Sequence, residues 1–222
     1  MQPSRDLNKA TLLLGPTGSG KTPLGELIEQ RGLWGADYLH FDFGENLREI
    51  VANNQADGAF SQVDGAFSRA DGAFSRADID LLGEMLATGA LLEDEHFPIA
   101  RRVLLGFMTA HRAGPRTCIL LNGLPRHIGQ ATAIEAVLEI RAVIHLRCSP
   151  ETVFARIDAD TGGDRAGRVD DDLEAVAKKL AIFERRTEPL LQHYGRRGVE
   201  IHPIDVSAHM TPDRMWRALQ GH

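Results

Sequence analysis

The stretch that most restricts the fold of this chain is ATLLLGPTGSGKTPLGELIEQ, Ala10 to Gln30. A short apolar run enters a glycine-rich turn, and an amphipathic pattern opens directly behind it. Residues Gly15 to Thr22 fit G-x-x-x-x-G-K-[ST] at every defined position, in the strand-before, helix-after context that gives the pattern its meaning. Glycines let backbone N–H groups turn inward around phosphate oxygens, and the first helical turn adds unpaired donors and the positive end of its dipole. Gly15, Pro16, Thr17, Gly18, Ser19, Gly20, Lys21 and Thr22 are therefore expected to hold a nucleoside triphosphate. Lys21 brings a point charge to the β- and γ-phosphates, and Thr22 offers a hydroxyl to Mg2+. Pro23 falls in the first turn, where a missing N–H is harmless.

A loop of this kind belongs on a parallel sheet, and the rest of the chain agrees. Short apolar runs at Ala10–Leu14, Tyr38–Phe41, Thr117–Leu121, Ala142–Leu146 and Val199–Ile204 alternate with amphipathic segments. Those segments include LGELIEQRG, FPIARRVLLGFMTAH, IGQATAIEAVLEI, PETVFARI and DLEAVAKKLAIFERRTEPLLQHYG. Bare apolar strands between helices predict an α/β fold, a five-stranded parallel sheet covered on both faces. Ligands in such folds gather beyond the carboxyl ends of the strands. The residues just after each run are thus the candidates for chemistry.

The 222 residues suit one sizeable core. A formal charge of −6 argues against sequence-independent binding to nucleic acid, which needs a strong positive field. Cys118 and Cys148 lie in or beside apolar runs and read as buried free thiols of a reducing compartment. ATLLL is too short for a signal core or a membrane span, so the expected setting is cytoplasmic, away from membranes. The histidines show no pair at metal-ligand helical spacing.

One segment breaks the alternation. Asp57 to Asp78 reads as three nearly identical heptads built on DGAFSRA. Phe60, Phe67 and Phe74 fall on one helical stripe, and Ser61/Asp64, Ser68/Asp71 and Ser75/Asp78 form Ser-x-x-Asp capping pairs. Gly58, Gly65 and Gly72 each cost a helix about 1 kcal/mol relative to Ala. The segment is expected to be a mobile tandem duplication with short helical turns, serving as a spacer or as a docking surface.

Three further stretches follow strands. CILLNGLPRHIGQ places Asn122, Gly123, Pro125, Arg126 and Gln130 at the ligand edge, where an arginine can fork onto a phosphate. HFDFGENLREI places Arg48 on the next helix, and GDRAGRVDD becomes a long helix. In this order these stretches resemble an adenylate kinase or another nucleoside monophosphate kinase, from about Ala10 to Ile204. The family's phosphate loop resembles Gly15–Lys21, its D-G-[FY]-P-R-x-x-x-Q resembles Asn122–Gln130, and its G-R-x-D-D and T-x-P-L-x-x-x-Y resemble Gly167–Asp171 and Thr187–Tyr194. Its T-G-D-x-[LI]-R is matched more weakly by Phe43–Arg48.

The resemblance implies a three-layer α/β/α P-loop kinase with a helical monophosphate-binding arm and a short lid. The chain would divide into core segments 1–42, 98–156 and 171–222, an arm over 43–97 containing the heptads 57–78, and a lid over 157–170. ATP would sit on the phosphate loop with Arg156 against its base or phosphates. AMP or another monophosphate would be gripped by Arg48 and Arg126, with Phe43 and Gly123 beside it and its base read by Gln130. Lys21, Arg126, Arg165, Arg168 and Lys179 would surround the transferring phosphoryl group, and Asp170 and Asp171 would hinge the lid. Mg2+ would be held by Thr22 and, through water, by Asn122. The protein would act as a monomer.

The departures bear on activity. Asn122 replaces an aspartate that orders metal-bound water, Phe43 a threonine and Glu45 an aspartate associated with the monophosphate side, and Lys179 an arginine. Restoring the carboxylate by Asn122→Asp is expected to raise activity when metal is limiting. Two other readings fit parts of the chain: a P-loop kinase of a small hydroxylated metabolite using Asp42, and a nucleotide-binding module that senses ATP without transferring phosphate. The first leaves Pro125, Arg126 and Gln130 without a reason.

Overall fold

The computed structural model describes residues 7–56, 74–161 and 173–221. Five strands, β1 (Asn8–Leu14), β2 (Tyr38–Asp42), β3 (Cys118–Asn122), β4 (Leu138–Arg147) and β5 (Glu200–Asp205), form one parallel sheet in the order β2-β3-β1-β4-β5. β1 is central, so the turn behind it opens where the strand order departs to either side, the usual ligand position in an open α/β sheet.

The two faces are covered separately. Alternate residues of β1 point opposite ways: Ala10, Leu12 and Leu14 join one buried cluster, while Leu13 joins the other. The first cluster is closed by helices α2 (Phe43–Ala56), α3 (Arg76–Thr88), α4 (Phe97–Ala110), α5 (Ile128–Ile134) and α8 (Pro189–Arg196). The second is closed by α1 (Lys21–Arg31) and α9 (Pro212–Gln220) through Leu24, Ile28, Met215 and Leu219. The three-layer α/β/α arrangement expected from the bare apolar strands is the one observed. No helix among the described residues is long and apolar enough to cross a membrane.

Two local expectations are corrected, and one helix is added. The segment read as one helix over IGQATAIEAVLEI ends at Ile134, and Leu138–Ile140 belong to β4. There β4 pairs with Asn8–Ala10, and the register then slips so that Ala10 faces Ile140 but Thr11 faces Ala142. Arg141 is the extra residue, and it disturbs the period-two pattern that would mark a strand. The long C-terminal helix is α7 (Leu173–Ile182), a π-helical turn over Phe183–Thr187, and α8. Pro189 has no N–H for the next i→i−4 bond, and the backbone closes a wider turn in which the Glu188 N–H reaches the Phe183 carbonyl. Helix α9 was not expected, although Thr211 caps it and Pro212 opens it.

Of the heptads, positions 57–73 lie outside the described residues, as do Arg165, Arg168, Asp170 and Asp171 of the expected lid. The third capping pair is described: Ser75 Oγ accepts from the Asp78 N–H and the Asp78 carboxylate accepts from the Ser75 N–H, opening α3.

Candidate active site

The phosphate loop is shaped by what surrounds it. Ser19 Oγ and Lys21 Nζ donate to the loop's own carbonyls, Ser19 to Pro16 (2.8 Å) and Lys21 to Gly15 and Pro16 (2.7 Å each). Gly20, with φ +92°, supplies the left-handed turn into α1, whose N-terminus faces the loop. A Cβ there would also meet the Arg156 guanidinium at 2.9 Å.

Arg156, on α6 (Pro150–Asp158), is buried and donates to Gly18 O (3.0 Å), Ser207 O (3.0 Å) and Met210 O (2.7 Å). It ties the phosphate loop to the segment after β5. Its guanidinium thus meets backbone carbonyls, and the residue is not among those lining the cleft in front of the loop.

That cleft has a volume of ≈ 230 Å³. Its walls bring together sequence-distant candidates: Gly15, Thr17, Gly18, Gly20, Lys21 and Thr22 from the loop, Phe43 and Arg48 from α2, Asn122 at the end of β3, Gly123, Arg126 and Gln130 beyond it, and Lys179 on α7. Four cations, Lys21, Arg48, Arg126 and Lys179, thus face one volume. Among the described residues, the guanidinium groups of Arg48 and Arg126 have no hydrogen-bond or ion-pair partner. Burial pushes the Arg126 guanidinium down from its ordinary value, and the Asp42 carboxylate opposes that shift. A desolvated, unpaired cation of this kind attracts an anion strongly.

Arg126 is positioned through its backbone. Its N–H donates to Gln130 Oε1 (2.8 Å) and its carbonyl accepts from Thr187 Oγ1 (2.8 Å) in the π-helical turn. Gln130 Nε2 donates to Leu92 O (2.7 Å), and the His127 ring nitrogen lies 2.9 Å from the same oxygen. Gln130 was expected to read a base; its amide instead bridges two backbone groups while the residue edges the cleft. Phe43 is buried against the core as well as the cleft. Thr187 was placed in a motif by its sequence, but nothing local pointed to its contact with the Arg126 carbonyl.

At the ends of β2 and β3, Asp42 and Asn122 are register partners. Asp42 Oδ2 accepts from Thr22 Oγ1 (2.7 Å) and Asn122 Nδ2 (2.7 Å), and Asp42 Oδ1 accepts from the Glu45 N–H (3.0 Å) at the start of α2. His40 lies 3.4 Å from Asn122 Nδ2; burial pushes its imidazole down against the pull of Asp42 and Glu29. The ring fits because residue 25 of α1 is glycine: a Cβ there would overlap His40. On the acceptor side, burial first and then Asp42, Glu49 and Glu26 push the Glu45 carboxyl up, with Arg48 opposing.

No family model matches the chain. Curated relatives do. It is 28% identical to an adenylate kinase of Deinococcus radiodurans, with 96% of each chain covered. It is 26% identical to an adenylate kinase of Nitrobacter winogradskyi over 84% of this chain and 81% of the other, and 28% identical to one from Parvibaculum lavamentivorans over 84% and 80%. The match to the Deinococcus protein, over 96% of this chain, takes in the stretches that the fold gathers around one cleft.

Over most of its length the chain is similar to adenylate kinases. The likeness fits the pairing of a phosphate loop with a second set of cations, which a phosphate-loop sensor alone would not need. In this chain Lys21, Arg48 and Arg126 line one cleft together with a carboxylate at position 42.

Proposed function

We propose that this protein is an adenylate kinase-like phosphotransferase, moving the γ-phosphoryl group of ATP to AMP or a related nucleoside monophosphate. The observation that carries the reading is the single cleft in which the phosphate loop faces Arg48 and Arg126. Transfer between two phosphates needs in-line placement and dispersed positive charge rather than covalent chemistry. A monophosphate is already anionic and nucleophilic, so no protein base is required. Lys21 and the loop amides would hold the donor, Arg48 and Arg126 the acceptor phosphate, and Lys179 would face the group in transit. Arg165 and Arg168 would complete the ring when the short lid closes and excludes water. Arg156 would act through the loop it braces.

Thr22 Oγ1 and Asp42 Oδ2 present oxygen donors beside the loop, the chemistry a hard divalent cation selects. Thr22 and Asp42 would hold Mg2+ there, and the ion would supply positive charge against the charge developing on the phosphates. The free thiols of Cys118 and Cys148 support a reducing, cytoplasmic setting, and we propose a monomer that divides into core, arm and lid at the boundaries given above.

The metabolite-kinase reading is not favoured, because relatives across most of the chain are adenylate kinases. A panel of monophosphates with ATP and Mg2+, assayed for diphosphate formation, tests the proposal. AMP is expected to give ADP, and Arg126→Ala to lower kcat/KM for AMP by about 100-fold or more, of the order seen when one charge-stabilising donor is lost. ATP bound tightly with no transfer to any monophosphate would overturn it.

A further inference from the structure

We infer that in this chain the carboxylate serving the divalent cation is Asp42 at the end of β2, and that position 122 at the end of β3 does not bind the ion. The inference rests on the ATP site proposed above, though not on the acceptor.

Position 122, at the end of β3, carries a neutral amide, and its amide nitrogen is turned toward Asp42 Oδ2 (2.7 Å) and Thr22 Oγ1 (3.2 Å). In that orientation Asn122 is a donor that orients its neighbours, and it brings no charge to a cation. Asp42 is the only Asp or Glu among the described residues lining the cleft. The loop hydroxyl, Thr22 Oγ1, donates to it directly. Both pieces of a hard-cation site, a hydroxyl and an anionic oxygen, therefore stand together on the loop side of the cleft.

The carboxylate is also held in place. Its other oxygen accepts the Glu45 N–H in the first turn of α2, so the helix start fixes the rotamer. Parallel pairing puts Asp42 directly opposite Asn122, and the two positions therefore share one small space. That space accommodates one negative charge well. Asn122→Asp alone would set two like charges face to face, so it is not expected to improve metal binding, contrary to what the sequence by itself suggests.

The test is Mn2+ binding in the presence of ATP, read from the free-Mn2+ EPR signal, with ATP affinity in EDTA measured beside it by displacement of a fluorescent ATP analogue. Asp42→Asn is expected to weaken Mn2+ binding by about 10- to 100-fold, the usual cost of losing a metal-site partner, while metal-free ATP binding is kept or strengthened. Asn122→Asp should not tighten Mn2+. The double exchange, Asp42→Asn with Asn122→Asp, restores the charge to the same space and should recover most of the affinity. Mn2+ affinity within twofold of the parent in Asp42→Asn would overturn the inference, as would tighter binding in Asn122→Asp. Should Asp42→Asn lose ATP binding in EDTA, the double variant decides, and its failure to hold Mn2+ counts against the inference. Transfer to AMP plays no part in this readout. A chain that held Mn2+·ATP through Asp42 and phosphorylated no monophosphate would sink the kinase reading and leave this one standing.

Discussion

The phenol of Tyr194 is buried on α8, and its hydroxyl has no hydrogen-bond partner among the described residues. Burial and the Glu135 carboxylate push its ionisation up, with Arg197 opposing, so the group stays a neutral phenol. A buried hydroxyl that makes no bond brings its desolvation cost and nothing in return. Tyr194→Phe should therefore leave the protein as stable or raise it by up to about 1 kcal/mol, measured by urea denaturation. A clear loss of stability would mean the hydroxyl has a partner. Asp42 is the opposite case, a polar group with three donors; the sequence offers it as a candidate, but the groups it meets are invisible at its own position. Its partners Thr22 and Asn122 lie 20 and 80 positions away.

At the scale of elements, α3 shows how local chemistry and tertiary contact combine. The Ser75–Asp78 box was legible as a capping pair, but Asp78 also accepts from Arg102 on α4 at 2.7 Å. Burial pulls the Asp78 carboxyl upward, yet the Arg102 and Ser75 donors outweigh it and hold it below its ordinary value. A depressed folded-state value contributes stability above the unfolded-state value of about 3.9 and loses it as pH falls through the folded one. Parent and Asp78→Asn should accordingly differ in Tm near neutrality, and the gap should close on acidification below about pH 4. A gap that stays constant to low pH would show that the charge is not what anchors α3. The π-helical turn at Phe183–Thr187 makes the same point for function: a proline at 189 widens the backbone, and the Thr187 hydroxyl donates to the carbonyl of Arg126.

For the whole molecule, the decisive property is that the sheet is covered twice. Leu12 and Leu13 are neighbours on β1, both about fully buried, and each belongs to a different cluster. Leu12→Ala and Leu13→Ala are each expected to cost about 2–5 kcal/mol, measured by denaturant unfolding. In a sheet with one wet face one of the two would be nearly neutral, and such a result would contradict the three-layer fold.

The sequence by itself determined the phosphate loop, the five strands and the kind of ligand their ends attract. Those features are written in short-range patterns: a glycine-spaced turn between an apolar run and a helix start, and strand-sized apolar runs between amphipathic ones. It also placed Arg48, Arg126 and Lys179 on the correct elements. What only the tertiary structure decided is which groups share a space. Parallel pairing set Asp42 against Asn122, pairing with Asn8–Ala10 drew Leu138–Ile140 into β4, and the packing of α6 committed Arg156 to the loop's carbonyls. A register or a buried hydrogen bond depends on partners tens of residues away, and no local pattern records it.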